Sequence, residues 1–237
     1  LLELALQLEQ QGRVTEAIAY YTKAASLEPE KFNVIPNLSN LVARKVSINA
    51  GLEVWDAYLK IRPQDYESQY FRALYLISIG QFDEGFAIRD PMVTYQRRSP
   101  VLPPADYPRW EGQDLQGKSI VIWTEFGLGD EIMFARFGLV FRSLGASSVT
   151  LVCQRQLVTL FNGVIDIDRV ISCDEVANLK PHDYWVYPHS IPVHYSLEKH
   201  GIPQGLPYIE LDPNVVARVA KILPLKPPGR LRIGLVY

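Results

Sequence analysis

Apolar positions follow two different periods along the chain. Leu1, Leu4, Ala5 and Leu8 recur at i, i+3, i+4 and i+7, the stripe of an amphipathic helix. Helical patterning continues to about residue 92, punctuated by Gly12, Pro29, Pro63 and Gly80. After Gly117 the pattern changes. Lys118–Thr124 is a β-branched apolar run of the kind that forms a buried parallel strand. Residues 130–144 then place Met133, Phe137, Val140, Phe141 and Leu144 on one helical face, with Arg136 and Arg142 off it, and Gly145 ends the helix. Further strands are expected at Ser148–Cys153, Arg169–Ser172, Tyr184–Tyr187 and Pro207–Leu211, with helices at Gln154–Phe161 and Val215–Leu223. Ile233-Gly234-Leu235-Val236 reads as one more buried strand. Strands alternating with helices imply a parallel sheet with right-handed crossovers. The predicted class is therefore α followed by α/β, with a Rossmann-like sheet whose ligand crevice lies at the carboxyl ends of its strands.

The helical third repeats. Pro29 and Pro63 are 34 residues apart and Gly12 and Gly80 are 68 apart, twice that interval. Gly12, Ala17, Tyr21, Ala24 and Pro29 stand where a tetratricopeptide repeat has its turn glycine, small packing residues, aromatic and closing proline. Residues 1–92 thus resemble the tetratricopeptide family, which implies helical hairpins and a protein partner on the repeats. The second unit departs from the pattern at Val46 and Tyr58, and the third carries Gly85 where the first has Ala17. Gly85-Phe86 and Arg89 suggest a terminal repeat adapted to dock on something else. Residues 93–117, with Pro100, Pro103, Pro104 and Pro108, read as an extended linker in which Trp110 is an apolar anchor. Residues 118–228 form the Rossmann-like unit and 229–237 the first strand of a second domain. The chain opens inside a helical pattern and stops on a strand, so both ends are expected to have been cut from a longer protein.

Composition narrows the functional classes. A net charge of −2 provides no global basic field for nucleic acid. No apolar run reaches the roughly 20 residues of a membrane span. Cys153 and Cys173 lack metal-ligand spacing and are expected as buried, reduced thiols, which fits a cytoplasmic setting. His182, His189, His194 and His200 also lack such spacing, so no metal site is expected. Asp166 and Asp168 are expected to form a turn.

The chemistry concentrates in Glu125-Phe-Gly-Leu-Gly-Asp130. Gly127 and Gly129 supply the positive φ that a tight strand-to-helix turn requires. A dinucleotide cradle is disfavoured because Ile132 occupies the third glycine position, and Asp130 and Glu131 put carboxylates where phosphate would bind. An S-adenosylmethionine methyltransferase is a further alternative, although Val152-Cys153-Gln154 offers no carboxylate for ribose hydroxyls. The segment Ile120–Phe137, the linker residues Pro108-Arg109-Trp110 and Leu115-Gln116-Gly117-Lys118, Asp183, Ser190-Ile191-Pro192 and the final strand together resemble the tetratricopeptide-fused relatives of the lipopolysaccharide heptosyltransferases. This resemblance covers nearly the whole chain. It implies the N-terminal, acceptor-side half of a GT-B glycosyltransferase, inverting and without a required metal or cofactor. Its substrates would be a nucleotide-sugar donor and a sugar or protein acceptor.

Asp130 matches the general base of that family, while plain helix capping is its alternative role. Glu125 would bind acceptor hydroxyls or turn amides. Arg136 would neutralise a phosphate or carboxylate, or lie solvated on the helix. His189 and Ser190 follow the fourth strand at the crevice. Donor recognition belongs to the second domain, so this portion alone is expected neither to bind a nucleotide sugar usefully nor to turn over. The rival from another class is a non-catalytic tetratricopeptide scaffold.

Overall fold

The computed structural model describes residues 1–28, 33–93, 102–103, 106–204, 207–223 and 229. In its first part, helices pack pairwise, and each pair packs on the next. They are α1 (Leu2–Gln10) with α2 (Val14–Leu27), α3 (Val34–Lys45) with α4 (Ile48–Ile61), and α5 (Tyr66–Ser78) with α6 (Phe82–Val93). Gly12 at φ 74° makes the left-handed turn between α1 and α2, and Gly80 at φ 87° does the same between α5 and α6. The Ser47 hydroxyl caps α4 by accepting from Ala50 N, and the Asp65 carboxylate caps α5 by accepting from Ser68 N. Ala5, Leu8, Ala17, Tyr21, Leu38 and Leu41 form the core between the first pairs. Two glycines in the later units, Gly51 and Gly85, allow close helix packing. A Cβ on Gly51 would lie 2.7 Å from Ala43 Cβ, and one on Gly85 would lie 2.7 Å from Ile77 Cγ1. Pro29 lies outside the described residues, as do Pro100, Pro104 and the stretch Ile233–Val236 where a strand is expected.

The second part is a four-stranded, wholly parallel sheet in the order β3-β2-β1-β4. Its strands are β1 (Ser119–Ile122), β2 (Ser148–Cys153), β3 (Arg169–Ser172) and β4 (Tyr184–Val186). Ile120, Val121 and Ile122 are fully buried because side chains cover both faces of β1. Phe134, Phe137 and Phe141 pack on one face. Trp123, Cys173, Trp185 and Tyr187 cluster on the other. Both cysteines are free and buried.

Three expectations need correction. The helix expected over 130–144 is two helices, α7 (Leu128–Ala135) and α8 (Gly138–Ser143). The axis breaks where Gly138 approaches Ile167 so closely that a Cβ would meet Ile167 Cδ1 at 2.7 Å. The break turns Met133 and Leu144 outward and Phe134 and Ala135 inward. Pro207–Leu211 is not a strand. It contributes an isolated antiparallel bridge between Ile209 and Val164. Positive φ in the Gly-rich turn belongs to Phe126 (φ 62°), whereas Gly127 has φ −98° and Gly129 is helical. The remaining α-helices are α9 (Val158–Phe161), α10 (Ile191–His194), α11 (Leu197–His200) and α12 (Pro213–Ile222), the last with no buried residue, and short 3-10 helices span Arg155–Leu157, Cys173–Asn178 and Pro188–Ser190. Asp166 does turn the chain, at φ 63°. Asp168 accepts from Val149 N at 2.7 Å and from Arg142 at 2.6 Å.

The last repeat helix is fixed to the sheet unit along its length. At the start of α6, Asp83 N donates to Glu198 at 3.0 Å and the Asp83 carboxylate accepts from Ser196. In the middle, Phe86 joins the main core and meets Phe134 edge-on at 6.4 Å. Further on, Asp90 accepts from Arg109 at 2.6 Å and from Ser190. The linker docks as well. Trp110 N donates to Trp185 O at 2.7 Å, and its ring is buried against Phe141.

Because Phe86 belongs to the sheet's core, Phe86→Ala should cost about 3–5 kcal/mol, the usual range for a buried phenylalanine. Urea unfolding should show the loss by both far-ultraviolet dichroism and tryptophan fluorescence, with coincident transitions. Destabilisation of the helical signal alone would mean that α6 does not hold the two parts together.

Candidate functional site

In the order β3-β2-β1-β4 the chain moves to the other side of β1 for β4, so the carboxyl ends of β1 and β4 are the switch point at which sheets of this kind bind ligands. The residues just past β1 remain inside the protein: Thr124 and Glu125 are both 0% exposed. Burying such groups requires partners. The Thr124 hydroxyl donates to the buried Glu131 carboxylate, which also accepts from Gln154 N at 3.0 Å. Glu131 thereby ties the end of β1 to the end of β2. Glu125 turns the other way. Its Oε2 accepts from His189 N at 3.0 Å and lies 2.9 Å from His189 Nδ1. Its Oε1 is buried without a hydrogen-bond partner among the described residues.

Phe126 carries the positive φ between these anchored residues, an uncommon conformation for a bulky side chain. Its carbonyl accepts from the Gln154 side chain at 3.3 Å. Its ring meets the Arg89 guanidinium of α6 at 4.6 Å and the His189 ring edge-on at 4.7 Å. Phe134 packs on His189 from another side at 4.2 Å. The imidazole is thus enclosed by two phenylalanines and two carboxylates. The second carboxylate is Asp130, whose Oδ1 lies 3.4 Å from His189 Nε2 and whose Oδ2 accepts from Gly127 N at 3.3 Å. Exposure rises outward along this row, from 0% for the Glu125 side chain and 7% for His189 to 39% for Asp130. His189 is the first cause holding the Asp130 carboxyl below the ordinary range; the Gly127 N–H and Arg89 charge add to it, and partial burial opposes them.

A Cβ on Gly129 would meet nothing within 4 Å, and one on Gly127 only Asp130 Oδ2 at 3.6 Å. The glycines therefore leave the first turn of α7 open to approach. The other expected site residues lie elsewhere. Arg136 is at the far end of α7, 4.8 Å over the Tyr208 ring. Ser190 is fully buried, donating to Asp90 and accepting from Arg109 at 2.7 Å, so its hydroxyl is not presented to the crevice. Asp183 accepts from Ser119 N at 2.8 Å, at the opposite end of the sheet. His182 meets Thr150 and His194 packs on Trp110, and no group of three potential metal ligands occurs among the described residues. A groove of about 1230 Å³ on α4–α6, lined by Tyr66, Tyr70, Phe71 and Met92 among others, shares no residue with the turn. No helix among the described residues is long and apolar enough to cross a membrane.

His189 does stand past the fourth strand where the sequence puts it, but its pairing with Glu125 and Asp130, and the parts of Arg89 and Glu131, were not foreseen. The available signal was polar Thr124-Glu125 following an apolar strand, which requires buried partners. Their identity depends on β4 lying beside β1.

No family model matches the sequence. Protein FlbA of Caulobacter vibrioides is 26% identical over 251 residues, which cover 95% of this chain and 41% of FlbA. Among solved structures, a tetratricopeptide repeat protein from Parabacteroides merdae is 21% identical, covering 42% of this chain and 39% of its own, with a TM-score of 0.36. A mutant O-GlcNAc transferase of Thermobaculum terrenum is 15% identical, covering 70% of this chain and 33% of its own, with a TM-score of 0.33. The chain thus spans well under half the length of FlbA.

Burial raises the Glu131 carboxyl above the ordinary range, partly offset by the Thr124 and Gln154 hydrogen bonds. The folded state therefore holds this proton more tightly than the unfolded chain. The associated stability is present below the ordinary glutamate value and declines as pH rises through the raised one. Glu131→Gln removes the titration. Urea midpoints should shift in the variant's favour, relative to wild type, as pH rises from about 4.5 toward neutrality. A pH-independent difference would contradict this sign.

Proposed function

We propose that this chain carries the acceptor-side half of a sugar-transferring enzyme of the GT-B type, related to the heptosyltransferases, with Asp130 as the general base. The observation carrying this reading is the half-exposed Asp130 carboxylate at the switch-point crevice, beside an open helix turn and backed by buried groups. In the proposed step Asp130 takes the proton of an acceptor hydroxyl. The oxygen forms a bond to the anomeric carbon of a nucleotide sugar from the face opposite the leaving group. The bond from that carbon to the phosphate oxygen breaks, its electron pair leaves with the nucleoside diphosphate, and the configuration inverts. A depressed pKa makes Asp130 a modest base, so acceptor positioning must supply much of the rate. Glu125 is buried, so its part here is to orient its neighbours rather than to touch the acceptor. The donor would bind mainly to a second GT-B domain. A protein acceptor or partner would use the apolar groove on α4–α6.

The full-length protein carrying this chain should be assayed with a panel of nucleotide sugars, before and after Asp130→Asn. The asparagine retains a side-chain oxygen to cap Gly127, so folding should persist, while turnover falls about 10²–10⁴-fold, the usual contribution of a general base. Equal turnover by the two proteins would remove Asp130 from the mechanism. Inactivity of the wild type with every donor would favour the scaffold reading.

A further inference from the structure

The Glu125–His189–Asp130 row contains a group that the proposed step does not use. His189 is buried, yet its two ring nitrogens face two different carboxylates, Nδ1 toward Glu125 at 2.9 Å and Nε2 toward Asp130 at 3.4 Å. Glu125 Oε2 also receives the His189 backbone N–H, and Glu125 Oε1 has no hydrogen-bond partner among the described residues. A fully buried carboxylate with so few donors needs a proton on Nδ1. With Nδ1–H on Glu125, Nε2 points at a second acceptor, the Asp130 carboxylate, and can hold it only as an N–H donor. Phe126 and Phe134 hold the ring plane, and Arg89 holds Phe126.

We propose that His189 is a positioning residue for the base: oriented by buried Glu125, it presents Nε2 to Asp130 and fixes the carboxylate that receives the acceptor's proton. This rests on the reading of Asp130 given above. As in a catalytic triad, a buried carboxylate orients an imidazole, but here Nε2 donates to a second carboxylate instead of accepting from a hydroxyl. The charged groups facing the pair come from every element packed around it. Arg89 approaches from α6, Glu125 from the end of β1, and Glu131 lies beside Asp130 on α7. Asp90 and Arg109 neutralise each other on the Ser190 side. Tyr187, just past β4, also lies near Glu125.

The test uses His189→Asn and His189→Gln in the full-length protein. The asparagine amide reproduces Nδ1–H toward Glu125 but removes the group facing Asp130. The glutamine amide places a neutral donor near the Nε2 position. Carboxylate ¹³C NMR should show the Asp130 titration midpoint rising by about one unit in the asparagine variant and by less in the glutamine variant. The acid limb of the kcat/KM profile should move with it, while KM changes little. An unchanged Asp130 midpoint in both variants would overturn the proposal, even with activity lost, because that pattern describes a purely structural histidine. A raised midpoint in a protein whose wild type transfers no sugar would uphold the positioning and reject the function proposed above.

Discussion

The arrangement depends on a carboxylate buried at the end of a strand. Glu125 is fully enclosed where β1 leaves the sheet, and desolvating an anion there is tolerable only if donors are built around it. Those donors are the backbone and ring of His189, at the corresponding end of β4. One requirement for partners therefore fixes the spacing of two diverging segments, orients an imidazole, and directs it at the more exposed Asp130. The adjacent pair, Thr124 with Glu131, applies the same rule in the other direction and binds β1 to β2. Consecutive polar residues thus turn to opposite neighbours, and Phe126 with its positive φ follows directly.

The repeats contribute to this region directly. Helix α6 supplies Phe86 to the sheet's core, Arg89 to the face of Phe126, and Asp90 to the buried network with Arg109 and Ser190. The final hairpin is thus part of the α/β unit as well as the end of an array. Ser190 and Arg109 serve this junction, which explains why a serine at the crevice end of β4 turns its hydroxyl away from the crevice. Arg89 on α6, the Phe126 ring, the His189 ring and Asp130 form one continuous row of contacts.

Elements governed by local chemistry were legible in the chain. A parallel strand covered on both faces is rich in apolar residues, so β2 falls where the pattern predicts it, and the edge strand β3 also stands at its expected place although its Arg169 is exposed. Turn glycines at 12, 80 and 145 adopt positive φ at the helix ends where they were expected. Misreadings arose where a neighbour distant in sequence decides the outcome. The helix breaks before Gly138, where Ile167 leaves no room for a Cβ, and helical periodicity carries no record of that contact. Phe126 takes the positive φ because Arg89, Gln154 and His189 hold it there, so Gly127 and Gly129 provide access instead.

The same division applies to the site. The sequence by itself determined the order of helical hairpins and α/β elements, the tight turn after β1, and Asp130 as the carboxylate at the start of α7. Each of these follows from hydrophobic period, glycine placement or capping position, which are properties of neighbouring residues. Only the tertiary structure decided that His189 stands between Glu125 and Asp130, that Arg89 reaches the turn from the repeats, and that Arg136 and Ser190 serve other contacts. Those outcomes come from placing β4 beside β1 and packing α6 over their ends, so they depend on strand order and long-range burial rather than on any local pattern.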